Sequence, residues 1–257
     1  MTHSFLTGRK FKVNIADTQS PSYSIPFGVP QGAVISPLLY NIYTCDAPTL
    51  NDCQRTFYAD DTALYSSSEF KANITRALRN GLNSFQEYFT RWKITINVQK
   101  TQAKFFTRRR TREIPRRPLF IRPGTSISWE TEPIKYLGLL LDKQATLKQH
   151  IQYAINKTAI ASRILYPLLN RKSHLSTENK LLLYKVALRP ILTYASPVIH
   201  ESAKTHIKKL QIQQNKILKM CLNKSWRTPT SEIHELADIE LISDFMNRIS
   251  LNFDPSR

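Results

Sequence analysis

The segment Phe57-Tyr58-Ala59-Asp60-Asp61 sets two carboxylates side by side behind two aromatics and one small residue. Carboxylates are hard oxygen donors and suit magnesium, which takes oxygen ligands and binds where phosphates bind. The chemistry that uses such a pair is nucleotidyl transfer, in which two divalent cations activate an attacking hydroxyl and stabilise a leaving pyrophosphate. Adjacent acids in an apolar setting would otherwise repel each other and cost stability. A solvated turn holding two acids has the same composition, so the pair gains meaning only from its surroundings.

The runs that flank the acids, Phe57-Tyr58-Ala59 and Ala63-Leu64-Tyr65, are short and β-prone, and predict two strands joined by a tight turn with the acids at its tip. Upstream, Phe11-Lys12-Val13-Asn14-Ile15 alternates apolar and polar before breaking at Ser20-Pro21-Ser22, a strand followed by a turn. Ser36-Pro37 ahead of Leu38-Leu39-Tyr40-Asn41-Ile42-Tyr43 predicts a helix with serine as N-cap and proline in the first turn, ended by Pro48. From Glu69 to Trp92, the residues Phe70, Ile74, Leu78, Leu82, Phe85, Phe89 and Trp92 recur at helical steps, giving one packing face. Ile94, Ile96 and Val98 then alternate as a strand, and Ala103-Lys104-Phe105-Phe106 is again extended. Tyr136-Leu137-Gly138-Leu139-Leu140-Leu141-Asp142 predicts a buried strand whose glycine lets another backbone approach.

After Lys143 the pattern turns helical. Leu147, Ile151, Ala154, Ile155, Ile164 and Leu168 fall on one predicted helix, and Leu181 to Val186 on another that lasts until Pro190. Ile207, Leu210, Gln214, Ile217 and Cys221 mark a third. The predicted fold class is α+β, with antiparallel strands and packing helices over 1–142 and a mainly α-helical module over 143–257.

Charge points to the partner. The 257 residues carry a formal net charge of +18, distributed unevenly: residues 1–100 hold 10 Lys and Arg against 7 Asp and Glu, the remainder 27 against 12. A chain this basic is drawn to a polyanion, nucleic acid being the common one, although an acidic membrane surface attracts it too. Seven arginines lie between Arg108 and Arg122, interleaved with Pro115, Pro118 and Pro123, which predicts an exposed basic loop or loose hairpin. No apolar run reaches the roughly 18 residues that span a bilayer, and Met1-Thr2-His3-Ser4 does not open a signal peptide. An intracellular protein of cytoplasm and nucleus is expected. Cys45, Cys53 and Cys221 lack the paired spacing of zinc ligands or a disulfide framework and read as reduced thiols.

A second motif precedes the aspartates: Gly28-Val29-Pro30-Gln31-Gly32-Ala33-Val34-Ile35-Ser36-Pro37-Leu38-Leu39-Tyr40-Asn41-Ile42-Tyr43. Together with Ala59-Asp60-Asp61, Asn97 to Lys100, Tyr136-Leu137-Gly138, Leu192-Thr193-Tyr194-Ala195-Ser196-Pro197-Val198 and Gln214-Asn215-Lys216-Ile217-Leu218, it resembles the reverse transcriptases of non-LTR retrotransposons, in particular the jockey-like group of insects. The resemblance runs over nearly the whole chain. It implies a partial polymerase palm over 1–142 and a helical thumb over 143–257, with template RNA, primer DNA and a deoxynucleoside triphosphate as partners and Mg2+ as cofactor. Gly28, Gln31 and Gly32 would then contact the templating base and incoming nucleotide, glycine letting backbone approach ligand. Asp60 would be the principal metal ligand, Asp61 a weaker ligand or electrostatic support, and Lys100 the group that meets the triphosphate. Tyr136, Leu137 and Gly138 would form the primer grip, and Arg108, Arg109 and Arg110 would hold template phosphates. A solvated lysine and a plain exposed loop account equally simply for Lys100 and the arginines, and as bare residues Tyr136, Leu137 and Gly138 are more simply core packing.

The resemblance also implies a further metal-binding aspartate on a strand well upstream of the glycine-glutamine loop. Asp17 is the only acid before Asp46, and it sits beside a turn rather than in a strand feeding a helix. The chain is therefore expected to be the later part of a palm plus a thumb, inactive by itself. The competing expectation is a nucleic-acid-binding module without catalysis.

Overall fold

The computed structural model describes residues 2–253, apart from Gln31, residues 110–112 and Pro123. It forms two compact units: Met1–Thr101 with Pro115–Ser128, and Gln102–Ile114 with Trp129–Arg257. Short antiparallel hairpins dominate the early part and helices the later part, the α+β arrangement that the patterning predicts. Among the described residues, no helix is long and apolar enough to cross a membrane.

In the first unit, helix α1 (Thr2–Leu6) leads into two nested hairpins. Strand β1 (Lys10–Phe11) pairs with β4 (Tyr23–Ser24), and inside them β2 (Asn14–Ile15) pairs with β3 (Thr18–Gln19). Helix α2 (Ser36–Tyr43) follows, but Ser36 is its first residue and not its N-cap: its hydroxyl donates to the Pro30 carbonyl at 2.6 Å. The helix stops at Tyr43, short of Pro48, where Thr44 bonds the Tyr40 carbonyl through both its N–H and its hydroxyl.

Strands β5 (Gln54–Tyr58) and β6 (Asp61–Tyr65) form the predicted hairpin, and α3 (Lys71–Arg91) is the predicted packing helix. The buried stripe of α3 is Ile74, Ala77, Leu78, Gly81, Phe85 and Tyr88; Phe70 lies outside it, mostly exposed at the N-cap. Phe85 packs its ring near Phe57 of β5, Tyr88 and Phe89, in a cluster that also takes in Ala47, Leu50, Leu64 and Trp92. Asp46 ties the end of this region down: its two oxygens accept from the Tyr88 hydroxyl at 3.2 Å and the Trp92 indole at 3.1 Å. Burial, helped by the Asp46 carboxylate, pushes the Tyr88 phenol up to about 12.

The late part of the arginine-rich stretch is a strand. Strand β7 (Leu119–Arg122) pairs with β8 (Thr125–Ile127), and its Leu119 and Ile121 are buried as it packs on α3. The predicted strand at Ile94, Ile96 and Val98 does not form. These residues do alternate half-buried with exposed neighbours, but the segment joins no ladder, and Asn97 bends it into a turn by accepting from Lys100 and Thr101.

In the second unit, the segment predicted as one strand at 136–142 is instead a hairpin. Strand β9 (Ile134–Tyr136) pairs with β10 (Leu139–Leu141) across a two-residue turn. Helix α4 (Lys148–Ile164) packs on β10, followed by the short α5 (Tyr166–Leu169) that carries Leu168. Helix α6 (Thr177–Leu183), capped by the Ser176 hydroxyl, passes through a π-helical turn at Tyr184–Leu188 into α7 (Arg189–Leu192). Pro190 thus does not end the helix as predicted. Proline lacks an N–H and crowds the carbonyl four residues back, and the wider π turn accommodates both. The short α8 (Ser196–Ile199) precedes the long α9 (Lys204–Cys221), then α10 (Thr230–Ala237) and α11 (Ile242–Asn252).

Helix α9 organises this unit. Its Leu210 belongs to an apolar cluster with Leu147, Ile151, Leu192, Ile199, Ile242 and Met246, while its Ile217, Leu218 and Cys221 belong to another with Leu181, Tyr184, Leu188 and Ile233. Gln214, fully buried, stands between them and donates to the Glu240 carbonyl at 3.2 Å. Gln211 donates to Gln214 and Asn215 at 2.8 Å and accepts from the Ile242 amide at 2.9 Å.

Two consequences can be measured. An added Cβ on Gly81 would lie 2.6 Å from the buried Cys53 sulfur. Gly81→Ala should therefore lower urea stability in the parent, yet raise it by about 1 kcal/mol in a Cys53→Ala background, where only the helix-propensity gain remains. The second concerns His150, which is buried and accepts from the Leu140 amide at 3.4 Å. Burial holds its imidazole below the usual histidine range. The unfolded chain then takes the proton first, so stability is complete above about pH 6.5 and falls as pH drops below it. Urea melts at pH 7.5 and 5 should show this loss, smaller in His150→Gln.

Candidate active site

The two acids do not occupy equivalent positions. Tyr58 pairs with Asp61 across the hairpin, so Asp61 opens β6, while Ala59 and Asp60 form the two-residue turn. Ala59 takes a φ of 51°, a left-handed conformation that costs a residue with a Cβ roughly 1–2 kcal/mol. The pairing below the turn and the contact of Phe57 with Phe85 hold it in place. Both carboxylates are exposed. Tyr40 of α2 feels Asp60: burial first, and then the Asp60 charge, raises its phenol above the ordinary range. Tyr40, which the sequence marks only as a member of the glycine-glutamine motif, is thus within electrostatic reach of the Asp60 carboxylate.

The loop ahead of α2 is fixed by its carbonyls. The Arg9 guanidinium donates to the carbonyls of Phe27 at 3.0 Å and Gly28 at 2.5 Å, and Ser36 holds that of Pro30. Gly28 and Gly32 both have φ of 80°, and a Cβ on either would meet nothing within 4 Å. Glycine is required there by the backbone and not by lack of room. Gln31 lies outside the described residues. Arg9 sits 18 residues before Phe27 and was not legible as a loop anchor.

Lys100 is exposed in the turn that Asn97 caps, and no hydrogen bond or ion pair joins it to Asp60 or Asp61. Among the described residues, no three His, Cys, Asp or Glu side chains gather as a metal site would require. Asp46 is engaged with Tyr88 and Trp92. Asp17 occupies the turn between β2 and β3, after Ala16 at φ 50°, so the same Ala-Asp turn occurs twice in this unit.

In the second unit, the turn between β9 and β10 is Leu137-Gly138, at φ of 44° and 80°. Two successive positive φ values are the pattern of a type I′ turn, whose twist matches the strands it joins. Tyr194, 57 residues on, donates its hydroxyl to the Leu137 carbonyl at 2.7 Å. A Cβ on Gly138 would stand 2.7 Å from that hydroxyl, so this glycine is needed for conformation and for room alike. The close approach predicted here is made by a side chain rather than a backbone. His150 anchors β10 through the Leu140 amide, its ring 6.3 Å from that of Tyr194. Arg108 and Arg109 are exposed, the Arg109 amide donating to the Thr107 hydroxyl; Arg110 lies outside the described residues.

Residues 1–141 match the family model of reverse transcriptase (RNA-dependent DNA polymerase). The chain is 31% identical, over 97% of its length, to the RNA-directed DNA polymerase from mobile element jockey of Drosophila funebris, and 30% identical to that of Drosophila melanogaster. It is 29% identical to the probable RNA-directed DNA polymerase from transposon X-element of Drosophila melanogaster. The chain spans about 28% of the length of each of these curated relatives. With its paired aspartates on a hairpin and its family match over more than half the chain, the protein belongs to the reverse transcriptase family and is related to the jockey and X-element polymerases of non-LTR retrotransposons.

Proposed function

We propose that this chain is the later part of the palm and the thumb of an RNA-directed DNA polymerase from a jockey-like retrotransposon. The observation that carries the reading is the Ala59-Asp60 turn, which presents Asp60 and Asp61 together at a rigid tip in a chain of this family. Residues 1–142 serve as palm and 143–257 as thumb.

Asp60 and Asp61 are oxygen donors of the kind Mg2+ takes, with Asp60 as the principal ligand. The chemistry supplied by bound Mg2+ is activation of the primer 3′ hydroxyl and neutralisation of charge on the departing pyrophosphate. The loop with Gly28, Gln31 and Gly32 presents backbone to the templating base and the incoming nucleotide. Lys100 meets the triphosphate, and Tyr136, Leu137 and Gly138 position the primer end. Arg108, Arg109, Arg110 and the basic helices of the second unit hold nucleic-acid phosphates by charge.

Among the described residues no third acid joins Asp60 and Asp61, and Asp17 stands in its own exposed turn, which supports the reading that the carboxylate set of a two-metal site is incomplete here. These 257 residues therefore bind nucleic acid but do not polymerise by themselves, because much of the electrostatic stabilisation at such a site comes from its full carboxylate set. In primer extension on poly(A) with oligo(dT) and Mg2+, neither the parent chain nor Asp60→Asn should extend primer. Extension by the parent but not by Asp60→Asn would overturn this and return the chain to the active polymerases.

A primer grip must be stiff, and Tyr194 is the strap on its turn. Tyr194→Phe should destabilise the second unit by about 1 kcal/mol, the loss of one hydrogen bond. Gly138→Ala should cost about 2 kcal/mol or more, combining left-handed strain with the clash. Gly32→Ala, strained but unobstructed, should cost about 1 kcal/mol. Thermal melts rank the three, and faster hydrogen exchange at the Leu139 and Leu141 amides in the first two would place the loss in the hairpin.

A further inference from the structure

From Lys204 to Arg227 the chain carries seven Lys and Arg and no Asp or Glu. This stretch comprises α9 and the start of the loop to α10, and Lys204, Lys208, Lys209 and Lys216 are exposed along it. In that loop Trp226 leaves 77% of its surface exposed, whereas Trp92 and Trp129 are half-buried. An indole is among the most favourable side chains to cover, so one turned outward within a purely cationic stretch calls for an occupant.

Its presentation is structured. Lys219 reaches from the last turn of α9 to bond the Trp226 carbonyl at 2.5 Å. The Arg227 guanidinium lies 5.1 Å from the indole centroid, within cation-π range, and the Arg227 amide donates to the Ser225 hydroxyl at 3.3 Å. Thr228 closes the turn on the Ser225 carbonyl at 3.1 Å, and Lys224 pairs with Glu232 at the start of α10. The loop is therefore tied at both ends while the ring is held outward.

We propose that Trp226 is a stacking platform for an unpaired base of RNA or DNA, with Arg227 and the α9 lysines taking the flanking phosphates. An aromatic face for the base beside cations for the backbone is how single strands are held without sequence preference. Charge complementarity selects the occupant: an apolar protein partner would have to bury these lysines unpaired, which is costly. The inference rests on the nucleic-acid reading above for the class of ligand and adds the place of contact.

The test is a tryptophan-fluorescence titration of the whole chain with oligouridylate at low salt, alongside a blunt DNA duplex and anionic phospholipid vesicles. Oligouridylate should quench the parent. Trp226→Phe should lose most of the quench while keeping affinity within about twofold, and Trp226→Ala should bind at least about fivefold more weakly, the loss expected for one stacked base. The duplex should bind by charge without the same quench. Unchanged affinity in Trp226→Ala, or quenching that persists in Trp226→Phe, would overturn the stacking site and leave nucleic-acid binding standing. No binding of the parent to either nucleic acid would remove both readings. A blue shift with vesicles and none with oligouridylate would replace the proposal with a membrane surface. Because Trp226 lies outside both apolar clusters, circular dichroism should show the variants folded.

Discussion

Left-handed backbone is the constraint on which the candidate site depends. Ala59 before Asp60, Leu137 and Gly138 at the β9–β10 turn, and Gly28 and Gly32 in the loop ahead of α2 all take positive φ. Each reverses or sharply bends the chain over very few residues, which in the β5–β6 hairpin sets the candidate acids at a tip. The unfavourable conformation of Ala59 and Leu137 is offset by what lies beneath. For Ala59 it is five paired positions and an aromatic contact to α3, and for Leu137 a hydrogen bond from a distant tyrosine. Strained backbone that persists because its surroundings over-determine it is characteristic of functional turns.

The second unit depends in the same way on one helix and one polar seam. Leu210 and the Ile217, Leu218 and Cys221 group commit α9 to two separate apolar clusters, and Gln214 fills the place where those clusters would otherwise meet. Besides each other and the Asn215 side chain, Gln214 and Gln211 reach backbone groups at Glu240 and Ile242, where α11 begins. His234 of α10 joins the seam, its Nδ1 2.6 Å from the Ile239 carbonyl and its Nε2 2.9 Å from Asn215. A buried network of this kind fixes register, because sliding any helix would strand its polar groups without partners.

Much of this was legible because local chemistry dictated it. The β-prone runs around Asp60 and Asp61 gave the hairpin, and helical spacing located α3, α4 and α9. What escaped notice was held by distant residues or disguised by residue type. Leu137 hid a two-residue turn, since a leucine at positive φ is uncommon, and the strap that stabilises it comes from Tyr194. Ile94, Ile96 and Val98 alternate in burial as a strand would, yet a ladder needs a partner and their periodicity could not supply one. Pro190 looked like a helix end because the relieving π turn has no sequence signature of its own. The Ala16-Asp17 and Ala59-Asp60 turns are alike in backbone, so local form did not separate them; the family motifs did.

Every sheet among the described residues has only two strands. Each strand therefore has one edge with no neighbouring strand, although on β10 the His150 ring takes the Leu140 amide. The same openness leaves the isolated polypeptide exposed to edge-to-edge association with its own copies, in the manner of any uncovered sheet margin.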